Sequence, residues 1–184
     1  MNEYIPELKK LYQTKILPEL QKNLAITNPM AVPKITKIVV NAGLGKSKEE
    51  SGLWERAARD LALLTAQKPA MRKARKSVAG FKIRRGMPIG QMITLRGNRM
   101  YEFLARFLKI AVPRARDFRG FLPTSLDSQG NFSFGIEEHS IFPEIVLSEK
   151  ELPFSLEVTI VTNANNKDKG RLLLEKFGFP FIKE

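Results

Sequence analysis

Ile35-Thr-Lys-Ile-Val-Val-Asn41, read together with Ile89-Gly-Gln-Met-Ile-Thr-Leu-Arg96, decides the fold. In both stretches apolar and polar residues alternate, as a strand does when one face is buried and the other is wet. In the first, Ile38 and Val40 share one face, while Lys37, Val39 and Asn41 share the other. In the second, Ile93 and Leu95 point inward and Thr94 and Arg96 outward.

Helical periodicity surrounds these strands. Residues 2–24 place Ile5, Leu8, Tyr12, Ile16 and Leu20 about one turn apart, with Pro18 expected to kink or divide the helix. After the first strand, Gly43 and Gly45 make a turn. Ser47 and Glu50 have capping-box spacing ahead of the stripe Leu53, Trp54, Ala57, Leu61 and Leu64. After the second strand, Asn98 is positioned to cap a helix carrying Met100, Phe103, Leu104, Phe107 and Leu108, limited by Pro113.

Two more strands alternate at Phe132, Phe134 and Ile136 and at Leu156, Val158 and Ile160. A last helix spans about 167–177, capped near Asn166, with Leu172, Leu173 and Phe177, and stops at Gly178 before Pro180. No repeat or low-complexity tract interrupts this order. The expectation is a single α+β domain over residues 1–184. Its sheet is largely antiparallel, helices cover one face, and the other face is open.

Charge narrows the partners. The chain has 184 residues, a net charge of +12 and no cysteine. Residues 66–119 hold 15 basic and 2 acidic side chains, whereas 120–184 hold 6 and 10. A positive field concentrated in this way attracts a polyanion. The N-terminus has no secretory-signal pattern and no apolar run is long enough to span a bilayer, so no membrane partner is expected. No homo-oligomer is expected either.

Catalytic patterns are weak. Gly45-Lys46-Ser47 follows a strand, but a phosphate-binding loop needs a glycine at the position held by Val40. His139 is the lone histidine, and adjacent Glu137 and Glu138 would point to opposite faces of a strand instead of converging. No enzyme, metal or cofactor is expected. A nucleotide hydrolase remains testable by loss of nucleotide binding on Lys46→Ala.

The stretch 66–88 reads instead as a long basic loop, alone or carried on strand extensions, set between regular elements where a flexible tail would not be. It holds Lys68, Arg72, Lys73, Arg75, Lys76, Lys82, Arg84 and Arg85, no acid, and interspersed Val78, Phe81, Ile83 and Met87. Long loops inside compact folds are usually functional or disordered, and lysine and arginine supply phosphate contacts. The outward Lys37, Asn41, Thr94 and Arg96 form a second polar surface, whose hydrogen-bonding groups suit structured RNA.

These residues carry a family resemblance. Pro33-Lys-Ile-Thr-Lys-Ile-Val-Val-Asn-Ala-Gly-Leu-Gly45, Gln67-Lys-Pro69, Lys73-Ala-Arg-Lys-Ser77 and Phe81-Lys-Ile-Arg-Arg-Gly-Met-Pro-Ile-Gly90 occur in order. Thr94-Leu-Arg-Gly97, Met100-Tyr-Glu-Phe-Leu104, Pro113-Arg-Ala-Arg-Asp-Phe-Arg-Gly120, Phe142-Pro-Glu-Ile145 and Thr159-Ile-Val-Thr162 follow. From about residue 5 to Phe181 the chain resembles the bacterial large-subunit ribosomal protein L5 family, 5S-rRNA-binding proteins of the central protuberance.

The resemblance implies a non-catalytic ribosomal component whose open sheet face binds 5S rRNA through Asn41, Gln67, Thr94 and Arg96, and Lys37 joins them by its outward direction on the first strand. It implies that Lys73, Arg75, Lys76, Ser77, Lys82 and Arg84 reach P-site tRNA, and Arg72 and Arg85 of the same basic loop are added to them by their charge. It also implies 23S rRNA and a small-subunit head protein as partners. Val146-Leu-Ser-Glu-Lys-Glu-Leu-Pro-Phe154 and Leu126-Asp127-Ser128 depart from the family pattern, away from those contacts. A free-standing RNA chaperone is the alternative.

Overall fold

Alternation becomes a sheet. A computed structural model describes residues 4–45, 52–115, 118–148, 151 and 153–182. Its strands are β1 (Ile35–Gly43), β2 (Ala70–Lys73), β3 (Pro88–Leu95), β4 (Phe132–Ile136) and β5 (Leu156–Thr162). They form one five-stranded antiparallel sheet in the order β2-β3-β1-β5-β4, which bears out the α+β expectation. Ile38, Val40, Ile93, Leu95, Val158 and Ile160 are buried. The residues between them alternate outward.

The helices are α1 (Glu7–Leu11), α2 (Leu17–Leu24), α3 (Leu53–Thr65), α4 (Gly97–Arg106), α5 (Val112–Arg114) and α6 (Lys167–Lys176). By contacts the chain divides into two compact units. One comprises residues 1–38, 95–134 and 159–184; the other comprises 39–94 and 135–158.

In the first unit, α1 runs into α2 and α4 into α5 through one widened π-helical turn each, Tyr12–Ile16 and Phe107–Ala111. Each widened turn ends two residues before a proline, Pro18 or Pro113. Proline has no amide to give the carbonyl four residues back, and its ring clashes with that carbonyl. A widened turn accommodates the misfit without ending the helix. Pro18, expected to kink or divide the helix, follows closely on the widened turn that separates α1 from α2.

Tyr12 stacks on Phe177 with centroids 5.8 Å apart, and its hydroxyl donates to the Pro33 carbonyl at 3.0 Å. Burial pushes its pKa up to about 12. A phenylalanine cluster fills the rest of this core. Phe121 lies 5.1 Å from Phe134, 5.2 Å from Phe132 and 5.8 Å from Phe179. Truncating such a residue to alanine costs about 3–5 kcal/mol.

In the second unit α3 buries Leu53, Ala57, Leu61 and Leu64. It meets the inward side of β3, where the Gln91 side chain donates to the Trp54 carbonyl at 2.8 Å. His139 and Asp60 are buried here as well, with Nε2 and Oδ2 3.3 Å apart.

Several local expectations change. Ile5 is half exposed, because Pro6 sets the helix start and leaves Ile5 outside it. The Ser47 and Glu50 capping box lies outside the described residues, and α3 starts at Leu53 behind Gly52. Asn98 caps nothing. Arg96 holds the N-cap position of α4, and Asn98 Oδ1 accepts from Lys9 Nζ at 2.9 Å. In α6 the Asn166 side chain caps the Asp168 amide as expected, but Leu174 is buried in place of the expected Leu172.

Candidate nucleic-acid interface

The basic stretch is not irregular. β2 pairs antiparallel with β3, Ala70 opposite Met92 and Arg72 opposite Gly90. Beyond β2 the pairing continues. The Ala74 amide donates to the Met87 carbonyl at 2.8 Å, and the Gly86 amide returns to that of Ala74 at 2.9 Å. Val78 and Ile83 exchange backbone bonds of 2.9 and 3.2 Å around a short 3-10 turn, Ala79–Phe81. Ser77 Oγ accepts from the Arg85 amide at 3.0 Å.

The expected loop is thus the distal part of a β-hairpin on the sheet edge. Apart from buried Ala74 and half-buried Ile83 and Met87 its residues are exposed, so no sustained apolar period marks it in the sequence. Arg72, Lys73, Arg75, Lys76, Ser77, Lys82, Arg84 and Arg85 are all exposed. Among the described residues none of Arg72, Lys73, Arg75, Lys76, Arg84 and Arg85 joins an ion pair. Their charge is available to an outside anion. A lysine- and arginine-rich edge also discourages strand addition by another chain.

The polar sheet positions divide between the units. In the second unit Asn41 on β1 and Thr94 on the neighbouring β3 are half-buried and outward. Met92 shares their side of β3, and its sulfur lies 3.6 Å from Arg72 Nη2. Gln67 sits between α3 and β2, half-buried, its carbonyl accepting from the Thr65 hydroxyl at 3.2 Å. The geometry brings Asn41 and Thr94 onto adjacent strands, and gives Gln67 a place only at the entrance to the β2 edge.

In the first unit Lys37 is half-buried on β1, and Arg96 is exposed between β3 and α4 with an extended backbone. The outward Ser133 and Thr159 hydroxyls lie 3.0 Å apart.

Sequence reasoning missed Glu157. It is outward on β5, and its Oε2 accepts from Asn41 Nδ2 at 3.3 Å. The alternation Leu156, Val158, Ile160 already implied its direction. Only the strand order, with β5 beside β1, puts it against Asn41.

No catalytic convergence occurs among the described residues. Glu137 and Glu138 are exposed and belong to no strand. Lys46 and Ser47 lie outside the described residues. Among those described, no cluster of histidine and carboxylates is arranged to hold a metal, and no helix is long and apolar enough to cross a membrane.

Residues 28–84 match the family model described as Ribosomal protein L5, and residues 88–181 match the model of that ribosomal family's C-terminus. The chain belongs to the ribosomal protein L5 family. The large ribosomal subunit protein uL5 of Corynebacterium kroppenstedtii is 46% identical over 180 residues, covering 98% of both chains. That of Saccharopolyspora erythraea is 48% identical, covering 96% of this chain and 95% of its own. The Thermus aquaticus protein is 45% identical, covering 96% and 97%. As an L5 family member, the chain is a structural, non-enzymatic, rRNA-binding component of the large ribosomal subunit in the cytoplasm.

Proposed function

We propose that this L5 family member binds 5S rRNA and helps anchor it to 23S rRNA in the central protuberance. Lys37, Asn41, Gln67, Thr94 and Arg96 are the 5S contacts, and the hairpin residues from Arg72 to Arg85 touch P-site tRNA. A further contact with a protein of the small-subunit head completes an intersubunit bridge.

The 5S assignment is carried by Asn41 and Thr94, outward on the adjacent strands β1 and β3, and the tRNA contact by the hairpin edge, eight basic residues with no acid over residues 66–88. That edge stands beside outward hydrogen-bonding groups on β1 and β3. Lysine and arginine hold phosphates and set the position of the RNA. Asn41 and Thr94 add bonds to 2′-hydroxyls or base edges.

Titration of refolded 5S rRNA with the wild-type chain and with the Asn41→Ala/Thr94→Ala double variant tests it. Loss of about 1–3 kcal/mol of binding, as expected for two hydrogen bonds, supports the assignment. Unchanged affinity removes the β1–β3 face from the 5S site.

A further inference from the structure

The tip of the basic hairpin carries an aromatic side chain that the fold does not bury. Phe81 is 74% exposed and Val78, across the turn, is 43% exposed. Single exposed apolar residues are ordinary on protein surfaces, so exposure alone decides nothing. Position and rigidity do.

Phe81 ends the 3-10 turn Ala79–Phe81, and the turn is closed on both sides by the Val78–Ile83 backbone bonds. Lys82 follows in the left-handed region, with φ 51°. The ring is therefore presented on a fixed support, with Lys76, Lys82, Arg84 and Arg85 close to it in the chain and no acid anywhere in residues 66–88. A preorganised aromatic loses little conformational freedom on binding. The surrounding cations select a polyanion over an apolar protein surface.

We propose that Phe81 is a stacking platform for an unpaired base of RNA, the phosphates on either side being held by the neighbouring cations. This rests on the RNA-binding reading of the hairpin and adds a preference that charge alone cannot provide. Phosphate contacts treat paired and unpaired RNA alike, whereas a ring can stack only on a base whose face is uncovered.

Two fluorescein-labelled RNAs of equal length serve as probes, a hairpin with an unpaired loop and a blunt duplex, each titrated with the full-length chain. Phe81→Leu keeps the bulk and apolar character at an exposed site and removes the π face. It should weaken binding of the looped RNA about tenfold, within the range for one lost stack. Duplex binding and the salt slope should stay unchanged, because no charge is lost. Phe81→Trp should retain the loop preference.

Equal affinity of wild type and Phe81→Leu for the looped RNA overturns the proposal, as does equal weakening toward both RNAs. Arg75→Ala/Lys76→Ala/Arg84→Ala separates the two levels. If it weakens binding to both RNAs while Phe81→Leu does nothing, the stack alone is wrong. If it too leaves both affinities intact, the RNA-binding reading of the hairpin fails. Equal thermal midpoints for the variants exclude unfolding as the cause of any loss.

Discussion

Asn41 Nδ2 lies 3.3 Å from Glu157 Oε2, a bond across β1 and β5 on the outward side of the sheet. The proposed 5S contact is thus already engaged, and its partner is an acid on the surface that is to receive phosphate. Glu157 orients the Asn41 amide in the free protein and opposes the incoming anion. Replacing it with the neutral isostere should expose the trade. Glu157→Gln is expected to tighten 5S rRNA binding by about 0.5–1 kcal/mol at low salt, the scale of one exposed charge. The gain should shrink as salt rises. Weaker binding in a titration at two salt concentrations would show that orientation of Asn41 matters more than repulsion.

The two RNA surfaces should separate by mutation. Arg96→Ala, at the exposed junction of β3 and α4, is expected to cost about 1–3 kcal/mol of 5S binding, as for a charge-assisted contact. Lys73→Ala/Arg75→Ala/Lys76→Ala should barely change that affinity, yet reduce retention of P-site tRNA on reconstituted ribosomes. Equal loss of 5S binding in both variants would merge the two surfaces into one.

Stability should fall in mild acid because of His139. Its Nδ1 accepts the Phe154 amide at 3.2 Å, so the ring proton sits on Nε2, facing Asp60. Burial holds its pKa below the ordinary value and Arg56 adds to that shift, while Asp60 opposes it. With the folded value depressed, the unfolded chain takes up the proton first as pH drops below about 6.5. Stability is then full above that pH and declines toward the folded value. Urea midpoints at about pH 7.5 and pH 5.5 should differ in the wild type and differ less in His139→Asn. An identical difference in both would assign the acid sensitivity to other groups.

Gly130 and Gly170 are packed too closely for any side chain. A Cβ on Gly130 would stand 2.5 Å from the Asn166 carbonyl oxygen, and one on Gly170 would stand 2.5 Å from the Gly130 oxygen. Gly130 also has φ +79°. Gly130→Ala combines overpacking with backbone strain and should cost about 2–4 kcal/mol. The measurement is the shift in denaturation midpoint. Gly135→Ala, where a Cβ meets nothing within 4 Å, is the control and should move it far less.

What could be read from the sequence followed from one-sided burial. β1 and β3 alternate because one face is buried, so the outward Lys37, Asn41, Thr94 and Arg96 were legible before any coordinates. The Asn166 cap and the Gly178 stop were legible because such signals are local. Of the hairpin beyond β2 only the possibility of strand extensions under the loop was legible, because most of its residues are exposed and carry no period. Glu157 and the Asp60–His139 pair were hidden for a different cause. Each depends on segments far apart in the chain meeting, 116 residues in one case and 79 in the other. Asn98 misled because a local capping pattern lost to a tertiary bond with Lys9.

The central claim is shape-specific recognition of 5S rRNA, and its most direct test is binding of refolded 5S rRNA against unfolded RNA of equal length across a salt series. The account predicts strong preference for the folded RNA, with a log–log salt slope of about −3 to −6 from several phosphate contacts. Equal affinity for both RNAs, all of it lost at higher salt, would contradict it and leave a basic protein that binds RNA by charge alone.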